Sequence, residues 1–284
     1  MGSTLRIMSL RQLVVNGVHM GAVIYGKPQH PPLVLLHGFT GSALSWSPLF
    51  ASLSSYNVKL IALDMLGHGQ SDAPSDPARY AMEHCQEDIL EALRQLDVQP
   101  GTAILLGYSM GGRIALYNAF SGFFRALILE SASPGMADSE ARLQRRTSDE
   151  ALAKRIEREG IPAFVDYWEK QPLFESQQRL PEEEREAIHQ QRLDNQATGL
   201  ANSLRGVGTG SQPALHARLG ELDLPTLLLT GELDSKFCAI AQQMQQKLPR
   251  ASWHIIPGAG HAPHLEQPER FVAQVGNFCT QVLS

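Results

Sequence analysis

Gly107-Tyr108-Ser109-Met110-Gly111 sets a serine between two glycines, each two residues away. The apolar run Ala103-Ile104-Leu105-Leu106 precedes it, and Met110 to Phe120 reads as a helix. A serine on a tight strand-to-helix turn has strained dihedrals, so its neighbours on both sides must be small. Such a turn lifts the hydroxyl of Ser109 clear of the sheet and aims a helix N-terminus at the reacting atoms. Met110 then offers its backbone N–H to a developing oxyanion. A glycine-rich turn with an incidental serine is the alternative, and partners downstream weigh against it. Asp234, in Gly231-Glu232-Leu233-Asp234, and His261, in Gly258-Ala259-Gly260-His261, follow in the order nucleophile, acid, histidine. Asp234 would fix the tautomer of His261, and His261 would take the Ser109 proton. Asp234 could also cap the helix starting near Phe237, a role compatible with the first. Glu232 competes with Asp234 and His264 with His261; the glycines before His261 favour it.

His37-Gly38-Phe39 follows the run Leu33–Leu36, and Phe39 is the expected source of a second oxyanion N–H. His37 reads as a structural hydrogen-bonding residue. Asp64 to Asp72, with Gly67 and Gly69, reads as a compact structural loop. Cys85, Cys238 and Cys279 have no metal-ligand spacing and read as small buried hydrophobes, so no metal is expected on them.

These residues need a scaffold. Continuous apolar runs recur at Leu33–Leu36, Lys59–Leu63, Ala103–Leu106, Ala126–Leu129, Thr226–Leu229 and Trp253–Ile256. Unbroken apolarity predicts strands buried on both faces, as in a parallel sheet between helix layers. Helices are expected at Met82–Leu96, Met110–Phe120, Phe237–Leu248 and Pro268–Leu283, and a hairpin at Asn16-Gly17. Residues 136–212 break the alternation with helical segments only. There Thr147-Ser148-Asp149-Glu150 reads as a helix start, Gly160-Ile161-Pro162 as a stop, and Leu180-Pro181 and Leu200 as marks of later helices. The fold class is therefore α/β, with a core over residues 1–135 and 213–284 and a helical cap over 136–212 inserted after the sixth strand.

The 284 residues are 43% hydrophobic and 19% charged, which excludes intrinsic disorder. Three cysteines in so long a chain exclude a disulfide scaffold and suit a reducing cytoplasm. A net charge of −5 disfavours nucleic acid as a partner, and no apolar run is long enough for a membrane span. Met1 to Arg6 contain no apolar signal core, and Met8-Ser9-Leu10 fits a natural start. The oligomeric state is left open.

With these motifs in place, the chain resembles the α/β-hydrolase superfamily over residues 10–135 and 213–284. That superfamily carries a helical cap over its site. Ser109 in place of an aspartate argues against the alkyl-enzyme chemistry of haloalkane dehalogenases and epoxide hydrolases. The fuller sequence resembles the 2-succinyl-6-hydroxy-2,4-cyclohexadiene-1-carboxylate synthases of menaquinone biosynthesis. The matching stretches are Gly107 to Arg113, Arg142 to Asp149, Phe164 to Trp168, Gln171 to Phe174, Arg192 and Gly231 to Phe237. The resemblance implies a lyase that expels pyruvate from 2-succinyl-5-enolpyruvyl-6-hydroxy-3-cyclohexene-1-carboxylate, with Ser109, activated by His261, as the base, and with no metal or organic cofactor. It also implies that Arg113, Arg142, Arg145 and Arg192 meet the carboxylates of a small tricarboxylate, with Tyr108 and Trp168 lining the ring site. Each arginine could instead be solvated or paired with an acid, as expected for Arg146. A carboxylesterase or carbon–carbon bond hydrolase using an acyl-enzyme on Ser109 is the competing reading. A non-catalytic binding protein on the same fold is a third.

The anion site is invisible in the totals. Residues 136–212 hold 11 Lys+Arg against 14 Asp+Glu, so the proposal depends on where a few arginines point.

Overall fold

The computed structural model describes residues 8–284; Met1 to Arg6, read above as lacking a signal core, lie outside the described residues. Eight strands form one sheet: β1 (Ser9–Val15), β2 (Val18–Tyr25), β3 (Pro32–Leu36), β4 (Lys59–Leu63), β5 (Ile104–Tyr108), β6 (Ala126–Glu130), β7 (Thr226–Gly231) and β8 (Ala251–Ile256). Their order is β1-β2-β4-β3-β5-β6-β7-β8. Only the β1–β2 and β2–β4 pairs are antiparallel. The β1–β2 hairpin turns on Asn16 (φ 48°) and Gly17 (φ 83°), with Val15 opposite Val18, the tight turn that Asn-Gly favours.

The central strands are apolar on both faces because both faces are covered. Val34, Leu36 and Leu105 join one buried cluster, and their neighbours Leu33, Leu35, Ile104 and Leu106 join the other. The helices flanking the sheet are α1 (Phe50–Ser54), α2 (Met82–Gln95) and α3 (Met110–Ala119) before β6. After β7 come α7 (Ser235–Gln245), α8 (Pro263–Glu266) and α9 (Pro268–Leu283). The run at β8 departs from the expected double burial: His254 and Ile255 are exposed, because β8 is the edge strand and pairs only with β7.

Between β6 and β7 the described residues form α4 (Ser139–Trp168), α5 (Glu182–Leu193), α6 (Ala197–Val207) and 3-10 helices over Pro172–Arg179 and Leu219–Glu221, with no strand. Here the expected helix start at Thr147 is corrected. Helix α4 begins at Ser139, where Asp138 accepts the Ala141 N–H at 2.7 Å. Inside the helix, the Thr147 and Ser148 hydroxyls donate back to the carbonyls of Leu143 and Gln144. The expected stop at Gly160 is present: its backbone is non-helical (φ 81°, ψ 172°) and divides α4 into two helices, with Pro162 in the first turn of the second.

The insert is tied to the core through polar contacts. Asn195 Nδ2 donates to the Thr40 carbonyl at 3.0 Å, and Asn202 Nδ2 to the Pro74 carbonyl at 3.0 Å. No helix among the described residues is long and apolar enough to cross a membrane.

Candidate active site

Ser109 sits at φ 51°, a left-handed conformation unusual for a residue with a side chain, immediately before α3. The elbow is sterically closed. A Cβ on Gly107 would lie 2.2 Å from the Gly111 carbonyl oxygen, and one on Gly111 would lie 2.3 Å from that of Leu36. Both glycines are therefore required where the turn meets the sheet.

Asp234 and His261 follow β7 and β8 and converge on this elbow. Asp234 Oδ2 lies 2.7 Å from His261 Nδ1, and His261 Nε2 lies 3.0 Å from Ser109 Oγ. A buried carboxylate accepting from Nδ1–H leaves Nε2 free to accept from the hydroxyl. The other carboxylate oxygen of Asp234 accepts the Phe237 N–H at 3.1 Å, so the same residue also caps α7. Both competitors are bonded to other groups. Glu232 accepts the Gly258 N–H, and His264 is paired with buried Glu130.

The loop after β3 is set by His37. Its Nε2 accepts the Met65 N–H at 3.0 Å, and its Nδ1 donates to the Gly38 carbonyl at 2.8 Å. Burial, partly offset by the Gly38 carbonyl, pushes its pKa down to about 4. Neutral His37 thus fixes the loop that presents Phe39. Asp64 accepts the N–H groups of Ala43 and Gln70, and burial raises its pKa.

Ser109, His261, Phe39 and Met110 open on a cavity of about 300 Å³. Arg113, Arg145, Trp168, Tyr108, Phe174 and Lys236 line the same space. Arg113 is held from behind: Nη1 donates to the Val207 carbonyl at 2.6 Å and to Gln212 Oε1 at 2.9 Å. Burial and then neighbouring Arg145 push its pKa down to about 10, so it remains a cation at neutral pH. Arg145 Nε donates to Asp149 Oδ1 at 2.8 Å. Trp168 stacks on Phe164, and its Nε1 is buried without a hydrogen-bond partner, an unmet donor beside the cavity. Burial and nearby Glu130 hold the Tyr108 hydroxyl well above its ordinary range.

Two expected arginines are placed elsewhere. Arg142 does not line the cavity. It shares the helix face of Arg145 in spacing, yet its backbone packs against the Gly210 turn and its Nε is buried without a partner. Arg192 is drawn away by an acid: Nη1 donates to Glu169 Oε1 at 2.9 Å and Nη2 to Gln177 Oε1 at 3.2 Å. It lines a separate cavity of about 50 Å³ behind the Phe39 loop, with Tyr108 and His264. Sequence reasoning missed Lys236, Gln212 and Ser131. Lys236 had a signal, two residues after Asp234. Gln212, beyond the last insert helix, had none. Ser131, at φ 47° with a buried, unpartnered hydroxyl beside the cavity, is visible only in the backbone.

Comparison with known proteins agrees with this geometry. The family described as the alpha/beta hydrolase family matches residues 33–274. A Bacillus subtilis protein named putative 2-succinyl-6-hydroxy-2,4-cyclohexadiene-1-carboxylate synthase is 45% identical over 95% of this chain and 97% of its own. The synthase of that name from Salmonella paratyphi C is 34% identical over 86% of this chain and 91% of its own. The structure of MenH from S. aureus superposes with a TM-score of 0.88 at 35% identity, covering 93% of this chain and 99% of that one. An esterase from Thermogutta terrifontis, solved with malate bound, gives a TM-score of 0.82 at 25% identity, covering 97% of this chain and 100% of that one. The chain belongs to the alpha/beta hydrolase family and, within it, to the 2-succinyl-6-hydroxy-2,4-cyclohexadiene-1-carboxylate synthases.

Proposed function

We propose that this chain eliminates pyruvate from 2-succinyl-5-enolpyruvyl-6-hydroxy-3-cyclohexene-1-carboxylate, with Ser109, His261 and Asp234 as its catalytic residues. The observation that carries the reading is the meeting of the Ser109–His261 pair with Arg113, Arg145 and Lys236 around one cavity. An uncharged ester has no use for three cations; a tricarboxylate does.

In the reaction, Ser109 Oγ passes its proton to His261 Nε2 and takes the ring proton beside the succinyl ketone. The ring double bond shifts, and the carbon–oxygen bond to the enolpyruvyl group breaks. Its electrons leave on the enolate of pyruvate, which takes up one proton on carbon. The ring has lost one proton and pyruvate has gained one, so the site ends as it began. The N–H groups of Phe39 and Met110 hold the dienolate oxygen, and Asp234 stabilises the charged His261. The helices of residues 136–212 act as a cap that selects the substrate. A cytoplasmic location belongs to the same proposal, since the three free thiols suit a reducing compartment.

The test is to supply the enolpyruvyl substrate and follow pyruvate release. Stoichiometric release that Ser109→Ala abolishes supports the reading. An acyl-enzyme trapped on Ser109 with this substrate would favour the esterase instead.

A further inference from the structure

Glu130 ends β6, is fully buried, and has no part in the reaction above. Its two halves reach two separate parts of the site. The backbone carbonyl accepts the Ser109 N–H at 2.9 Å. The side-chain Oε1 accepts the backbone N–H of His264 at 2.9 Å and lies 2.8 Å from His264 Nδ1. His264 stands three residues past His261. Its ring packs against Trp46 (4.7 Å between centroids) and Tyr108 (4.6 Å). Tyr108 directly precedes Ser109, and its ring lies 5.5 Å from that of His261. One residue therefore grips the serine elbow by its main chain and the histidine loop by its carboxylate.

We infer that Glu130 is a positioning residue: through His264 it sets the His261 loop against the elbow and so holds Nε2 in reach of Ser109 Oγ. The alternative partners of that loop act on other points. Glu266 accepts the N–H groups of Gly260 and Ala262, which orders the loop internally without tying it to β6. The Glu130 carboxylate, by contrast, ties the loop to β6, the strand whose end bonds Ser109. The second carboxylate oxygen, Oε2, is buried with no partner, so Glu130→Gln removes no hydrogen bond while keeping the acceptor at Oε1.

The inference rests on the Ser109–His261 reading, and its test does not need the pyruvate-forming reaction. Ser109 is titrated with a fluorophosphonate, whose attack requires the same serine and histidine geometry, and pyruvate release is measured alongside. Misplacing a reacting group by about 1 Å can cost on the order of 100-fold in rate. Glu130→Ala, and Glu130→Asp should the alanine variant fail to fold, are expected to slow phosphonylation and lower kcat by about 10- to 100-fold, with KM unchanged. Glu130→Gln, which keeps the acceptor oxygen, should recover most of that loss. Val275→Ala, in α9, supplies a control for lost stability alone. Wild-type phosphonylation rates in Glu130→Ala or Glu130→Asp, or a loss no greater than in the Val275 control, would overturn the inference. If the wild-type enzyme is phosphonylated but releases no pyruvate, the proposed reaction fails while the positioning role is still decided.

Discussion

Arg113 and Arg145 line one cavity but are anchored differently. Arg113 is half-buried and held by a carbonyl and a neutral amide, Val207 O and Gln212 Oε1. Arg145 is anchored at Nε by the Asp149 carboxylate, with its side chain 42% exposed. The charge of Arg113 is thus uncompensated by any directly bonded acid, whereas Arg145 brings its own counter-charge.

A substrate carboxylate should therefore depend more on Arg113. Arg113→Ala is expected to reduce kcat/KM by about 2–4 kcal/mol of transition-state binding, and Arg145→Ala by less. Arg142→Ala, outside the cavity, should change kcat/KM by under about threefold, an effect below 1 kcal/mol. Steady-state kinetics of the three variants check the ranking; equal losses would remove the basis for assigning the cavity to the anion.

Asp234 has two jobs that one substitution separates. Asp234→Asn keeps an oxygen for the Phe237 N–H, so the cap on α7 and the melting temperature should survive. The amide no longer fixes His261 in the tautomer that accepts from Ser109. Turnover should fall by about 10³-fold or more at nearly constant Tm. A large drop in Tm would mean that the helix cap, rather than the tautomer, dominates.

Arg192 joins α5 to the end of α4 and to the 3-10 helix at Gln177, and lies over the Phe174 ring at 5.0 Å. Removing it leaves Glu169 and Gln177 without these donors. Arg192→Ala should destabilise the protein by about 1–3 kcal/mol, read by urea unfolding. An unchanged midpoint would show that the ion pair adds nothing to stability.

Acid should unfold the protein through two histidines. Burial pushes His37 to about 4 and His68 to about 3, the latter helped by repulsion from His37. In the unfolded chain both titrate near 6.5, so the stabilisation from keeping them neutral is complete above that pH and is lost as pH falls. Between pH 6.5 and 5 each contributes a loss of about 2 kcal/mol. His68→Asn should lose less stability than wild type between pH 7 and 5. Parallel losses in urea titrations would reject the assignment.

The elbow and its partners were legible because their chemistry demands local sequence: small residues around Ser109, and turns after strands at Asp234 and His261. The central strands were legible because burial on both faces leaves no polar alternation. The insert was less legible. Thr147 and Ser148 look like caps from composition, yet hydroxyls inside a helix can satisfy themselves on the previous turn. The arginines were least legible. Spacing puts Arg142 and Arg145 on one face, but the choice between them follows from Asp149, from the Gly210 turn and from Gln212, which meet only in three dimensions. Arg192 was taken by Glu169, 23 residues earlier in the chain.

Phe39 ties two functions into one residue. Its main chain belongs to the loop beside Ser109, and its ring packs edge-on against Phe164 and Trp168 at 6.1 and 5.4 Å. The insert proposed to select the substrate is thereby in contact with the loop beside Ser109. If the insert selects the substrate as proposed, one transplanted from a relative must supply matching aromatic partners for Phe39 to keep the loop beside Ser109 in place. Exchange of lids in this enzyme is therefore a problem of paired surfaces, and evolution toward new substrates has to move both sides of that contact together.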